Sequence, residues 1–254
     1  MAIKIKDIDD LLGSLDEDVK WRKKEIADMY ATTKIENSPD YLLRAGFVML
    51  CAHFEGFIKF ASNAYISYIS SKKIKNVELK PSFSAIMLQQ QSHSLFNSGG
   101  SGKVKTSVVK QLVDIHGTLL EKEFFIKIAD DNPPIHTDSN PNSKVLKEIT
   151  TILNLDYCEL FQQRAAFIDG EILCPRNHIA HGIKRPLSRD DYKAVHDYVL
   201  AIIDKYKEVI IEEAISESFL NSSFTMSNSI SAIIDFTEEE LEIDNRELAL
   251  SGQT

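Results

Sequence analysis

The chain has 254 residues, of which 43% are hydrophobic and 26% are charged, as in an ordinary globular protein. We find no run of about 18 apolar residues that would cross a bilayer, and the N-terminus lacks the apolar core of a secretory signal. Three scattered cysteines, Cys51, Cys158 and Cys174, are too few for a disulfide framework or a zinc site. These features predict a cytoplasmic protein that is not inserted in a membrane.

Charge is unevenly distributed along the chain, whose formal net charge is −9. Residues 212–254 carry ten acids against one base, Arg246, and so account for the whole net charge. Residues 1–211 therefore balance, with 28 basic and 28 acidic residues, and the acidic total does not argue against nucleic-acid binding by this body. We interpret residues 216–254 as an acidic tail. It is either a solvated chain end or a segment that contacts a basic partner or shields the body's own basic surface.

Helical patterns dominate the N-terminal part of the chain. The charged residues 19–34 predict an exposed helix. Pro39 and Asp40 then begin a long helix, because proline is tolerated in the first turn and a carboxylate is favourable at the positive end of the helix dipole. Its apolar residues recur at spacings of three and four, which is typical of a buried stripe: Leu43, Phe47, Leu50, Phe54, Phe57, Ile58, Ala61, Tyr65 and Ile69.

Residues 72–142 are less regular and are interpreted as a loop-rich insertion. Within them, residues 97–103 (NSGGSGK) superficially resemble a phosphate-binding loop. Asn97 stands where that motif requires glycine, and Val104 where it requires serine or threonine, so no nucleoside triphosphate site is expected. Further loops are predicted at 130–134 and 138–142.

Helical signal returns in the C-terminal part of the chain, over residues 143–153, 157–167 and roughly 171–181. Ser188 followed by Asp191 is typical of an N-cap with an acid at the third helical position, which opens a last long helix.

This succession predicts an all-α helical bundle over residues 15–215, with the insertion at about 72–142. The segment 224–236 fits a short strand or a short helix equally well.

The most informative motif is RNHIAHG, residues 176–182. Arg176 and His181 lie about 140° apart around an α-helix, so they can approach a common point only if the helix ends at His181. Gly182 is the residue expected just past a helix end. Because a guanidinium binds phosphate bidentately and an imidazole transfers protons near neutral pH, the pair is suited to phosphodiester cleavage. The structural alternative is a surface arginine and a histidine that interacts with the helix dipole.

The Arg-x4-His spacing of this motif resembles the signature of the HEPN superfamily, helical domains that include many metal-independent endoribonucleases. Residues 41–46 (YLLRAG) and 52–59 (AHFEGFIK) resemble the first core helix of a longer, standalone branch of that superfamily. Ser139-Asn140 and residues 145–149 (VLKEI) resemble its middle segment. The likeness covers roughly residues 15–210, and that branch is associated with restriction and abortive-infection loci.

The resemblance implies cleavage of RNA, in which the 2′-hydroxyl of the substrate is the nucleophile. His181 would transfer protons, Arg176 would stabilise charge on the phosphate, and Asn177 would orient a phosphate oxygen or the imidazole. It further implies a homodimer whose two signature helices form one cleft, products with a 2′,3′-cyclic phosphate, and neither metal nor cofactor. We predict a toxin or antiphage effector, for which an antitoxin or another defence-system protein is a conceivable partner.

Glu55 and Arg44 interrupt the apolar stripe of the long helix eleven positions apart and therefore share a face. Either Glu55 orients Arg176 or His181 from a neighbouring helix, or the charges form a buried structural ion pair. His53, on the same helix, is interpreted as a packing residue.

Other polar residues surround the motif. His178 and His181 form His-x-x-His but lack the further ligands of a metal site, so we interpret His178 as a neighbour of the substrate. Lys184, Arg185 and Arg189 either follow an RNA backbone or belong to a solvated turn.

Two other functions fit the same residues. One is a non-catalytic HEPN module that binds nucleic acid or a partner protein, and the other is a purely structural helical dimer. Ile183 occupies the position where an adenylylated HEPN branch has tyrosine, so that form of control is not expected.

Overall fold

The computed structural model describes residues 5–34, 39–97, 110, 113–114, 117–128, 133–137 and 139–221. In these ranges the chain forms helices and irregular segments, with isolated β-bridges but no β-strand, so the predicted all-α class is confirmed. The elements are α1 (Ile8–Thr33), α2 (Asp40–Ser71), α3 (Pro81–Asn97), α4 (Ser143–Leu153), α5 (Tyr157–Leu160), α6 (Ala165–Phe167), a π-helix (Ile168–Leu173), α7 (Cys174–Ala180) and α8 (Arg189–Ile215), with 3-10 turns at Asn76–Glu78 and Gln162–Arg164.

The long helix α2 is the centre of the body and packs against both α1 and α8. It begins at Asp40, directly after Pro39, as predicted. Every residue of its predicted apolar stripe is buried. Because burying one large apolar side chain contributes about 1.5–3 kcal/mol, this stripe is a main source of stability.

Length and composition alone would allow α2 to cross a membrane, contrary to the expectation from the sequence. Half of the apolar stretch that qualifies is nevertheless buried inside the helical body. That is the situation of a core helix, in which apolar residues face other helices.

The predicted helix over residues 19–34 is confirmed, but it begins eleven residues earlier and one of its faces is buried. α1 begins at Ile8, where Asp7 accepts a hydrogen bond from the Asp10 amide, and it buries four apolar side chains against the body. These residues recur at helical spacing when the pattern is followed from its true start: Leu11, Leu15, Val19 and Ile26. Residues 19–34 contain only part of this stripe among many charged residues, so the stripe is not apparent from them alone.

A buried polar network joins α1 to α2. The Arg22 guanidinium contacts both carboxylate oxygens of Asp18, at 2.5 and 3.2 Å, and both side chains are about 90% buried. Gly56 of α2 allows this guanidinium to approach, since a Cβ at that position would lie 2.7 Å from Arg22 Nη1. His53 packs edge-on against Trp21, and its burial and Arg22 lower the pKa of His53 below the usual value. The interpretation of His53 as a packing residue is confirmed.

The middle region contains a 17-residue helix, α3, beside irregular segments, and α3 packs against α4. Outside α3, the middle region still contributes buried side chains to the core, among them Leu119, which is helical, and Phe124 and Ile135. Of the predicted loops, residues 98–103, 130–132 and 138 lie outside the described part of the chain.

The C-terminal part follows the predicted pattern with one interruption. α4 has the predicted bounds, and α8 begins at a capping box in which Ser188 and Asp191 bond each other's backbone amides. Residues 157–167 form α5, a 3-10 turn and α6 rather than one helix. The chain remains packed against the body beyond α8 as far as Phe219, which is 1% exposed. The tail residues 222–254 lie outside the described residues.

Replacement of Asp18 tests the buried network. We expect Asp18→Ala to lower the free energy of unfolding by about 3 kcal/mol, because it leaves the Arg22 guanidinium buried without its partner. The matched control is Asp197→Ala, which removes the carboxylate of an exposed pair with Lys193 at the same spacing. Urea denaturation should show a much smaller loss for the control, and equal losses would contradict a special role for the buried pair.

Candidate active site

The RNHIAHG motif lies in the last part of a continuous helical run from 165 to 180. The sequence predicts separate helices over 157–167 and roughly 171–181, but six π-helical residues, Ile168–Leu173, connect them before α7. Pro175 accounts for part of this irregularity, since it has no N–H to donate to the carbonyl four residues earlier. Wide π turns of this kind are frequent at functional sites.

The helix ends where the motif predicts. α7 stops at Ala180, His181 is its C-cap, and Gly182 has a left-handed backbone with φ of +73°. The last carbonyls are satisfied within the turn, where the Gly182 and Ile183 amides donate to Ile179 and His178. His181 is exposed, and no described residue bonds its imidazole. The condition that lets Arg176 and His181 approach a common point is therefore met.

Arg176 is anchored from α2. Its Nη2 lies 3.7 Å from Glu55 Oε2, and its Nη1 donates to Asn177 Oδ1 at 3.0 Å. The other Glu55 oxygen accepts a 2.5 Å hydrogen bond from Thr137. The geometry thus matches the interpretation in which Glu55 faces Arg176. Within the described residues, Arg44 forms no ion pair, so the alternative pair on α2 is absent.

Cys51 lies behind this ion pair, within the electrostatic range of both Arg176 and Glu55. Burial raises the pKa of its thiol to about 12, which outweighs the opposing effect of Arg176. The thiol is 3.9 Å from the Ile172 carbonyl oxygen. Cys51 is therefore a buried packing residue whose thiol is not set up as a nucleophile.

The predicted RNA-binding residues differ in their surroundings. Arg185 folds back on α7, where its Nη1 lies 3.3 Å from both His178 Nδ1 and Cys174 Sγ. Lys184 is exposed in the turn after the motif, and Arg189 is the exposed first residue of α8. Arg185 is thus a neighbour of His178, while the other two remain candidates for backbone contact.

The segment before α4 forms another wall of the site. Asn63 of α2 fixes it by bonding both the carbonyl and the amide of Ile135, at 2.9 and 3.1 Å. Further along, Asp169 of the π-helix accepts two bonds from Ser143, at 2.8 and 2.6 Å. These contacts place Thr137 against Glu55. Reasoning from the sequence missed all of these contacts, because their partners are 26–82 residues apart.

A pocket of about 560 Å³ opens between this segment and α7. In the described parts of the chain, no cluster of three histidine, cysteine or acidic residues could hold a metal ion. The pocket is lined by Asn140, Asn142, Ser143, Lys144, Asp169, Leu173, Cys174, Asn177 and His178.

The left-handed glycine at the helix end can be tested directly. We expect Gly182→Ala to lower the free energy of unfolding by about 1 kcal/mol, because a Cβ is strained at positive φ. Gly170→Ala is the matched control, since that glycine has open space and no positive φ. Urea denaturation should show no loss for the control; an unaffected Gly182→Ala protein would contradict this account of the helix end.

The chain matches the family model RiboL-PSP-HEPN over residues 17–212. No curated protein and no solved structure matches it. Since the match covers most of the chain and includes α2, the Glu55–Arg176 pair and the motif at the end of α7, the protein belongs to the RiboL-PSP-HEPN family.

Proposed function

We propose that this protein is a metal-independent endoribonuclease that acts in the cytoplasm as a toxin or antiphage effector. Family membership supports a HEPN module of the nuclease or nucleotide-binding kind. The observation that carries the finer proposal is the end of α7. There the signature arginine is held by Glu55, and the signature histidine is exposed at the C-cap of the same helix.

The proposed reaction uses the 2′-hydroxyl of RNA as its nucleophile. His181 takes the hydroxyl proton or returns a proton to the leaving 5′-oxygen, since an imidazole works in both directions near neutral pH. Arg176 stabilises the charge that develops on the phosphate. The hydroxyl oxygen bonds to phosphorus as the bond to the 5′-oxygen breaks, which leaves a 2′,3′-cyclic phosphate and a free 5′-hydroxyl.

Asn177 and Glu55 serve this reaction as positioning residues. Asn177 accepts a bond from Arg176 Nη1, and Glu55 lies on the other side of the guanidinium at Nη2. Two fixed contacts reduce the number of orientations of a long, flexible side chain, so less entropy is lost when it binds phosphate.

The proposal includes a homodimer in which two copies of α7 meet, as in the superfamily. Ile183, immediately after the motif, is a large apolar residue that is 53% exposed in the single chain. If two copies of α7 met at the motif, this side chain would be covered. Sedimentation of the wild-type chain should show a dimer, and the Ile183→Lys variant should sediment as a monomer if this side chain lies in the interface.

RNA cleavage in excess EDTA is the decisive test of the activity. We expect wild type to cut RNA and leave cyclic phosphate ends, whereas Arg176→Ala and His181→Ala lose at least about a hundredfold in rate. Expression of wild type should also arrest growth, and His181→Ala should remove that toxicity.

Lys147→Ala is the control, because it removes an exposed cation of α4 that lies away from the pocket lining. Cleavage that requires a metal would contradict the mechanism. If all folded proteins bind RNA without cutting it, the non-catalytic HEPN module becomes the better description.

Glu55→Gln tests the anchoring of Arg176. Glutamine keeps an oxygen for the Thr137 hydroxyl but removes the charge near Arg176. We expect kcat to fall about tenfold, about 1.4 kcal/mol of transition-state stabilisation, with little change in KM.

Glu159→Gln is the matched control, because Glu159 pairs with Lys205 away from the motif and should retain full activity. An unchanged kcat for folded Glu55→Gln, or a change in KM alone, would show that Glu55 does not act through Arg176.

A further inference from the structure

The pocket beside the motif has the size of a small-molecule site. Its volume of about 560 Å³ lies within the range of about 300–1,000 Å³ that is usual for ligand pockets. One side is α7, with Asn177 and His178, and the other is the turn before α4, with Asn140 and Asn142. Two elements separated in sequence thus converge on one cavity.

The polar groups that remain available in this pocket are mainly donors. Asn142 uses its carbonyl oxygen to cap α4, and Asn177 uses its oxygen to accept from Arg176. Both oxygens of Asp169 accept bonds from Ser143. In the described residues, no bond from either asparagine Nδ2 and no ion pair of Lys144 is found. Two amide groups and one ammonium are therefore free to donate, and the buried Asn140 Oδ1, which has no partner among the described residues, is an acceptor left to receive a bond.

The pocket also offers a flat surface. The His178 ring is held through Nδ1, which lies 3.3 Å from Arg185 Nη1 and 3.7 Å from Cys174 Sγ. Leu173, which is buried, adds an apolar patch to the lining. Unpaired RNA bases are bound in this way, by stacking on a planar side chain and by hydrogen bonds to the base edge.

The charge of the lining favours a base over a free phosphate. Lys144 is the only lysine or arginine in the lining of this described pocket, and Asp169 offsets it. Binding of a nucleotide through its phosphates alone would call for more cations. Asn177 connects the pocket to Arg176, so a base seated here belongs to a nucleotide next to the phosphate that Arg176 contacts.

We propose that this pocket binds one unpaired nucleobase of the RNA substrate and selects uracil, which alone among the four RNA bases presents two carbonyl acceptors. The inference rests on the proposed ribonuclease function and narrows its substrate to single-stranded RNA with such a base beside the cleaved bond. Asn142 and Asn177 donate to the base carbonyls, His178 stacks on the ring, and Lys144 contacts the following phosphate.

Binding of non-cleavable RNA separates this inference from the activity. The probes are 2′-O-methyl adenosine hexamers in which one central position carries each of the four bases, so that they lack the nucleophile. Fluorescence anisotropy with wild type should show about tenfold tighter binding of the uracil hexamer than of the adenine one. Asn142→Asp keeps the oxygen that caps α4 but removes the donor; its added charge should weaken all four hexamers alike, while the preference among them should fall below about twofold.

Two lysine variants serve as the matched pair in the same assay. Lys144→Ala should weaken all four hexamers equally, whereas Lys147→Ala, one turn further along α4, should change nothing.

Equal binding of the four hexamers by wild type, or an unchanged preference in folded Asn142→Asp, would overturn the inference. RNA cleavage by the same preparations reports on the proposed function separately. Cleavage without base preference removes the pocket inference alone, and base preference without cleavage removes the nuclease proposal alone.

Discussion

Burial of α2 is the constraint on which the rest of the structure depends. The helix is enclosed by α1 and α8, and its apolar stripe leaves little freedom to rotate or slide. Two polar residues on this rigid helix, Glu55 and Asn63, therefore have fixed positions. Glu55 contacts Arg176, and Asn63 bonds Ile135, so one core helix positions both walls of the candidate site. Sites built on such elements are positioned more accurately than sites held by loops.

Polar contacts near α2 differ in what they do for the protein. The Asp18–Arg22 pair lies within α1 and is almost fully buried, and Arg22 also reaches the His53 carbonyl of α2 at 3.5 Å, so this arginine serves the packing of α1 on α2. The Glu55–Arg176 pair is partly exposed and more widely spaced, at 3.7 Å. A looser and more accessible pair contributes less to stability, but it leaves the guanidinium able to reach a ligand. This contrast separates a structural arginine from one suited to binding.

Strong periodicity explains which elements the sequence could predict. α2, α4 and α8 have clear apolar patterns and start signals, such as Asp40 and Ser188, and the predicted starts of these helices agree with the structure. The π-helix could not be predicted, because the backbone effect of Pro175, which accounts for part of it, leaves no periodic pattern in the sequence. The Thr137–Glu55 contact could not be predicted for another reason: 82 residues separate the partners, and only tertiary packing brings them together. Local motifs therefore identified the candidate catalytic residues but not the wall that faces them.

The two signature residues are held differently, and the difference bears on how the proposed nuclease is completed. Arg176 has contacts on both sides, whereas no described residue bonds the His181 ring. A histidine that transfers protons needs a partner that fixes its tautomer and orientation. In the proposed dimer, that partner comes from the substrate or from the second copy of α7. One protomer would then supply a fixed phosphate-binding group, and the proton-transferring group would become ordered only when RNA and both protomers meet.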